Sequence, residues 1–301
     1  MNSAELARQF NLANVLRFED TPGGLIRGVI SGPMAEAEIY LQGAHLARWD
    51  PKGHRSALFV SSKSLFAPGK AIRGGVPVVF PWFGARPNGM PGPAHGFART
   101  TEWTLERTAL KAGGEVEITL GLQPNESTRA FGYSDFAVRF RVTIGSNLQM
   151  ELAVENHGEE PFLFEEALHS YFAVSDVRQV SISGLAGTAY IDKTDGYQLK
   201  EQGAEAVRIA KETDQVHLNS KTTCVVHDPM WNRGISIQKS GSATTVIWNP
   251  WIDKAKGMSD MAPEEWLDMV CVETANAANN AVRLAPGESH KLKASVKVEQ
   301  I

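Results

Sequence analysis

The stretch from residue 136 to residue 154 limits the possible folds more than any other part of this chain. Phe136-Ala-Val-Arg-Phe-Arg-Val-Thr-Ile144 alternates with a period of two, which puts Val138, Phe140, Val142 and Ile144 on one face. Gly145-Ser146-Asn147 interrupts the pattern, and Leu148, Met150, Leu152 and Val154 resume it. Successive side chains of a strand point to opposite faces, so the spacing predicts a β-hairpin with one apolar face and a short Gly/Asn turn. Strand signals recur at Val116–Leu122, Val180–Ser183, Gly234–Gln238, Thr244–Trp248, Met269–Thr274 and Leu292–Val298, separated by turn residues. Only Ala4–Val15, with Leu6, Phe10, Leu12 and Val15 in phase, carries a helical period. The expectation is an all-β, antiparallel sandwich or barrel with a short N-terminal helix. No repeat or linker divides residues 1–301, so one domain is expected.

Composition narrows the function classes. The chain has 301 residues, 43% hydrophobic and 21% charged, which suits an ordinary globular protein. Its 30 basic and 34 acidic residues give a net charge of −4 without blocks, a poor match to nucleic acid or an anionic membrane. Any anion it binds must meet a local group of Arg and Lys. Cys224 and Cys271 lie in apolar runs and form neither a disulfide framework nor a zinc spacing. The N-terminus lacks the pattern of a signal peptide, and no run of about 18 apolar residues occurs. Cytoplasmic residence is the expectation.

Four segments place polar groups in apolar or aromatic settings, as a concave site for a small polar ligand does. Ile72-Arg-Gly-Gly-Val-Pro-Val-Val-Phe-Pro-Trp-Phe-Gly84 sits in a Gly- and Pro-rich loop, residues 67–93, that also holds Arg86 and reads as a site rim. Ala94-His-Gly-Phe-Ala-Arg99 and Ala167-Leu-His-Ser-Tyr-Phe172 follow. The fourth pairs Val246-Ile-Trp-Asn-Pro-Trp251 with Val270-Cys-Val-Glu-Thr274. Strand parity groups Glu273 with Met269, Cys271 and Ala275. A carboxylate there is either a solvent-facing or paired edge residue, or a general base raised in pKa by desolvation. His169 shares a face with Glu165, which could orient it, and is either a satisfied core histidine or an acid. Glu166 points the other way, without an assigned purpose. Arg73 and Arg99 stand beside glycines, which let backbone approach a ligand; they are phosphate forks or turn-capping arginines. Trp82, Phe83, Trp248 and Trp251 are core or a wall for a sugar ring. His95, His157, His169 and His227 show no metal-ligand spacing, and no metal is assigned. Walker and GxSxG signatures are absent, which removes nucleotide-dependent and serine-nucleophile chemistry.

Taken in order, these strings resemble the glucose-6-phosphate 1-epimerase branch of the aldose 1-epimerase superfamily over residues 35–284. The resemblance implies a large β-sandwich of the galactose mutarotase type, with the site on an open concave face. It implies His169 as general acid and Glu273 as general base. Arg73 and Arg99 would bind the substrate phosphate, Asp214 would hydrogen-bond sugar hydroxyls, and His95 and Trp248 would face the sugar. Ala94 stands where some relatives have Gln, and His217 where the family often has Tyr. Neither departure touches the acid–base pair. The implied reaction is interconversion of the anomers of a hexose 6-phosphate without cofactor or metal, by a monomer or weak homodimer. Mutarotation of free aldoses and non-catalytic carbohydrate binding are the alternatives. Ring opening needs a base at the anomeric hydroxyl and an acid at the ring oxygen. That reading expects an ionised Glu273 and a protonated His169 at rest, on opposite sides of the O5–C1 unit.

Overall fold

The computed structural model describes residues 1–301, and its strand pairs are antiparallel throughout. The hairpin forms as its alternation requires. Phe136–Ile144 pairs with Asn147–Asn156, Val142 opposite Met150 and Ile144 opposite Leu148. It lies within a nine-stranded sheet, flanked by Val116–Leu122 on one side and Ser289–Gln300 on the other. An eight-stranded sheet packs across from it. Its order runs Gln198–Glu201, Ala189–Asp192, Thr213–Leu218, Thr244–Asn249, Met269–Asn276, Glu166–Leu168 and Val78–Val79, while Tyr171–Ala173 also pairs with Met269–Asn276. A four-stranded meander over residues 16–51 flanks the pair.

The layers are held by the alternating apolar positions. Val138, Phe140, Leu152 and Val154 from one sheet, and Leu168, Phe172, Val270 and Val272 from the other, join one buried core. Each such side chain contributes about 1.5–3 kcal/mol on burial, and that sum offsets the ordering of a long chain. The expected β-sandwich is therefore the fold observed.

Local departures have local causes. The N-terminal helix spans Ser3–Phe10, capped by Asn2 and Glu5, and stops short of Val15. Asn11 is extended (ψ 139°), and Leu12 turns to bridge Leu16. The shared face of Glu165 and His169 supposes one strand through Phe162–Phe172, but the chain there is broken into Phe162–Phe164, Glu166–Leu168 and Tyr171–Ala173. Leu163 points to solvent as a result. No helix is long and apolar enough to cross a membrane.

Candidate active site

Register assembles the site. Glu166 pairs with Asn276 and Leu168 with Thr274 on one side of the break, and Tyr171 pairs with Cys271 on the other. The offset is the same on both sides, so His169 falls directly opposite Glu273. Following each pair across the sheet produces two adjacent rows on one face. Lys193, Asp214, Trp248, Cys271 and Tyr171 make the first; Ile191, Val216, Val246, Glu273 and His169 make the second. This face looks away from the sandwich core. A small apolar cluster of Val79, Ala167, Val216, Leu218, Val246 and Ala275, with Phe83 and Ile191 packed on it, borders the catalytic row.

His169 Nε2 lies 3.2 Å from Glu273 Oε1, with 7% and 1% of the two side chains exposed. They touch rather than stand apart, so the expectation that they flank the substrate from opposite sides is corrected. His169 Nδ1 and Glu273 Oε2 are buried and have no partner in the protein. Leaving such atoms unpaired costs about 1–3 kcal/mol each. That cost marks the spot as one built for something other than stability.

The pair borders a cavity of about 280 Å³, lined by Arg73, Phe83, His95, His169, Tyr171, Lys193, Asp214, Trp248, Lys254, Met258 and Glu273. Tyr171 stacks on His169 (4.8 Å between ring centroids, 12°), and Trp248 meets it edge-on at 6.1 Å. Arg73 donates from Nη1 to the Tyr171 hydroxyl (2.9 Å) and from Nε and Nη2 to Asp260 Oδ2 (3.1 and 2.9 Å). The main chain of Gly84 donates to His95 Nδ1 at 3.3 Å, which leaves His95 Nε2–H as a donor. Lys193 Nζ stands 3.4 Å from Asp214 Oδ2 and over the Phe83 ring.

Burial dominates the electrostatics. It pushes the Glu273 carboxyl well above the usual range, and the nearby Asp214 charge adds to this while Lys193 and Arg99 oppose it. Burial holds His169 well below the ordinary imidazole value, helped by His95, Arg99 and Arg73. His95 is depressed for the same reason, with Arg99 and Lys193 contributing. Both shifts run against the ionised resting pair that the resemblance implied. Burial favours a carboxylic acid beside a neutral imidazole, and the two groups share one proton and titrate as a unit.

The structure brings His169, Glu273, Arg73, His95, Asp214 and Trp248 to one cavity, as the sequence led one to expect. Arg99 is the exception: it does not line the cavity, and its guanidinium donates to the Ala94 carbonyl at 2.8 Å. Trp82 is core, Trp251 packs on Trp266, and Arg86 folds back onto Trp82 and Phe131. Glu165 does not orient His169. It accepts from the backbone N–H groups of Phe83 (2.8 Å) and Ala278 (2.7 Å), tying down two loops. His217 faces the opposite side and meets Thr188. Gly74 and Gly75 approach protein backbone, not ligand: a Cβ on either would fall 2.3 Å from the Phe59 or Leu46 carbonyl oxygen. Lys193, Lys254, Met258 and Asp260 went unnoticed in the sequence, where a single charged or apolar residue in a turn carries no pattern.

A larger groove of about 490 Å³ crosses the outer face of the nine-stranded sheet. Lys111 pairs with Glu117 and Lys293 with Glu151, each at 2.8 Å, Arg141 shares Glu151 at 3.3 Å, and Lys239 donates to the Thr244 carbonyl and the Thr245 hydroxyl. It offers no comparable chemistry.

The sequence profile described as aldose 1-epimerase matches residues 29–297. An Escherichia coli (strain K12) protein named "Putative glucose-6-phosphate 1-epimerase" is 39% identical over 251 residues, 83% of either chain. The crystal structure of a "putative mutarotase" from Salmonella typhimurium matches with a TM-score of 0.89 at 32% identity, covering 97% of this chain and 96% of that one. A galactose mutarotase-like protein from Clostridium acetobutylicum matches with a TM-score of 0.70 at 15% identity over 95% and 98% of the two chains, a likeness of fold.

Proposed function

The chain belongs to the aldose 1-epimerase family, and from that premise we propose that it interconverts the α and β anomers of D-glucose 6-phosphate and related hexose 6-phosphates by acid–base ring opening and reclosure. The observation that carries this reading is the buried contact between His169 Nε2 and Glu273 Oε1 at 3.2 Å, on the wall of a polar cavity.

Ring opening removes a proton from O1 and delivers one to O5. Both oxygens are bonded to C1, so an acid and a base in contact can reach both at once. Glu273 takes the O1 proton through Oε2, and His169 donates its Nε2 proton to O5. In this reading the shared proton first passes from Glu273 to His169 across their contact once substrate is bound, and the ionised pair so formed returns to the neutral pair as the ring opens. The neutral form is the one burial favours, so the open-chain aldehyde is matched to the preferred state of the protein. After rotation about C1–C2, the same two transfers in reverse close the ring on the other carbonyl face. The pair carries one proton throughout, and no cofactor is needed.

Substrate position follows from this assignment. C5 and C6 lie on the O5 side, toward His169, Tyr171 and Arg73, so Arg73 serves the phosphate and Arg99 supports it with its field from behind. C2 and C3 lie toward Asp214 and Trp248, and His95 Nε2–H serves a sugar oxygen. Residues 1–301 form one domain in this reading, with the cavity lining drawn from positions as far apart as Arg73 and Glu273.

A free-aldose mutarotase is the second reading. It gains from two observations: Arg73 is already paired with Asp260, and Arg99 lies outside the cavity lining. Anomer exchange measured by NMR on glucose, galactose and mannose 6-phosphates beside the free sugars separates the two. Faster exchange on the phosphorylated sugars is expected. Equal rates for glucose and glucose 6-phosphate would remove the phosphate role from the arginines.

A further inference from the structure

Glu166 is buried completely, yet the proposed chemistry does not use it. Its Oε1 accepts from Asn276 Nδ2 at 2.9 Å and lies 3.0 Å from His290 Nε2. That nitrogen is also 2.8 Å from the Gly241 carbonyl oxygen, so with two acceptors before it Nε2 carries a proton. Asn276 is held in turn, donating to the Gly241 carbonyl (2.7 Å) and accepting from the Ala243 N–H (2.9 Å). Glu166 Oε2 has no partner. A half-satisfied buried carboxylate is an expensive fixture for a sandwich that an apolar residue could fill.

Its place in the ladder suggests why it is there. Glu166 is the first residue of a three-residue strand, and Asn276 is the last residue of the strand it pairs with. Three positions along that same ladder, on the opposite face, come His169 and Glu273. A strand of three residues specifies its register weakly, and a slip of one residue would turn His169 away from Glu273. His290 belongs to Ser289–Gln300 of the nine-stranded sheet, so its contact also ties this strand end to the facing layer.

We propose that Glu166, Asn276 and His290 form an inter-sheet strut whose task is to hold the strand ends that set the His169–Glu273 contact. They are positioning residues. The proposal rests on the reading of His169 and Glu273 as the acid–base pair.

The test is steady-state anomer exchange on glucose 6-phosphate by Glu166→Leu, Glu166→Gln and His290→Leu, with Glu273→Gln alongside. Near-UV circular dichroism establishes that each variant is folded. Displacement of reacting groups by about 1 Å costs on the order of 100-fold in rate. Glu166→Leu should therefore lose about that factor in kcat while KM, set by Arg73 and Asp214 on other segments, stays within about threefold. Glu166→Gln keeps an acceptor for Asn276 and should recover kcat to within about fivefold of the parent. If Glu166→Leu does not fold, His290→Leu decides, because its partly exposed site tolerates exchange and leucine offers no donor; kcat should fall about tenfold at constant KM. A folded Glu166→Leu or His290→Leu with parental kcat overturns the strut, as does Glu166→Gln no better than Glu166→Leu. Full activity in Glu273→Gln would instead remove the acid–base reading itself, so the two failures are distinguishable.

Discussion

Replacing Gly75 with alanine tests whether the Arg-Gly-Gly segment is shaped by packing or by a ligand. Gly75 has φ +60°, and a Cβ there would meet the Leu46 carbonyl oxygen at 2.3 Å, His45 Nε2 at 2.7 Å and the Ala47 Cα at 2.9 Å. Two of the three are backbone atoms of a paired strand and cannot swing aside. The left-handed conformation costs an alanine about 1–2 kcal/mol, and forced overpacking adds about 1–3 kcal/mol. Gly75→Ala should lower the unfolding free energy by about 2–5 kcal/mol. Gly69 is the control, with φ +72° and nothing within 4 Å of a new Cβ. Gly69→Ala should lose only the conformational part, about 1–2 kcal/mol. Urea unfolding at pH 7 reads both. Gly75 also accepts from the Tyr171 N–H at 2.9 Å, so its displacement disturbs the ring stacked on His169. Exchange activity of the folded Gly75→Ala fraction should fall as well. Equal losses in the two alanine variants would refute the steric argument.

Two pH experiments follow from the buried titratable groups. Because the catalytic pair works while it carries one proton, its rate profile should be bell-shaped, with the acid limb below pH 6.5, where depressed His169 takes up a proton, and the alkaline limb well above 4.5, where raised Glu273 loses its own; an acid limb above pH 6.5 in kcat/KM would contradict this. His45 is fully buried and pushed down from 6.5 to about 3 by desolvation. A group depressed in the folded state stabilises above its unfolded pKa and stops doing so as pH falls toward the folded one. At pH 5, about 1.5 units below the unfolded value, that amounts to roughly 2 kcal/mol. His45→Asn should show a stability–pH slope flatter by that amount between pH 7 and pH 5 in urea titrations, and an unchanged slope would show that His45 is not buried neutral.

What the sequence made legible was whatever a single strand encodes by itself. The parity of Met269–Asn276 set Glu273 apart from Val270 and Val272, and the structure has Glu273 on the cavity wall and the two valines in the core, because a strand buried on both faces still alternates. The long hairpin strands emerged with their apolar faces, since each holds several repeats of the period-two pattern. The pieces at Glu166–Leu168 and Val78–Val79 did not, because two or three residues hold no period and their pairing partners lie far along the chain. The same distance hid the site's supporting cast. Asp260 meets Arg73 across 187 positions, and nothing near either residue signals the other. Local reading also misassigned Glu165, which tethers loops at Phe83 and Ala278, and credited Gly74 and Gly75 to a ligand when neighbouring strands claim them. The protonation of the pair was out of reach for a similar reason. It depends on how deeply Glu273 and His169 are buried together, and burial is a property of the assembled sheets.

The most direct test of the account is anomer exchange by Glu273→Gln on glucose 6-phosphate, followed by NMR at equilibrium, with ligand affinity measured in parallel. Glutamine keeps the shape and the acceptor facing His169 but cannot take the O1 proton. A positioned acid or base contributes about 10²–10⁴-fold, so exchange should fall by at least about 100-fold. Affinity should stay within about fivefold, since Arg73, Asp214 and Trp248 remain to hold the sugar phosphate. A folded variant that exchanges anomers at the parental rate would contradict the assignment of Glu273 and, with it, the central claim.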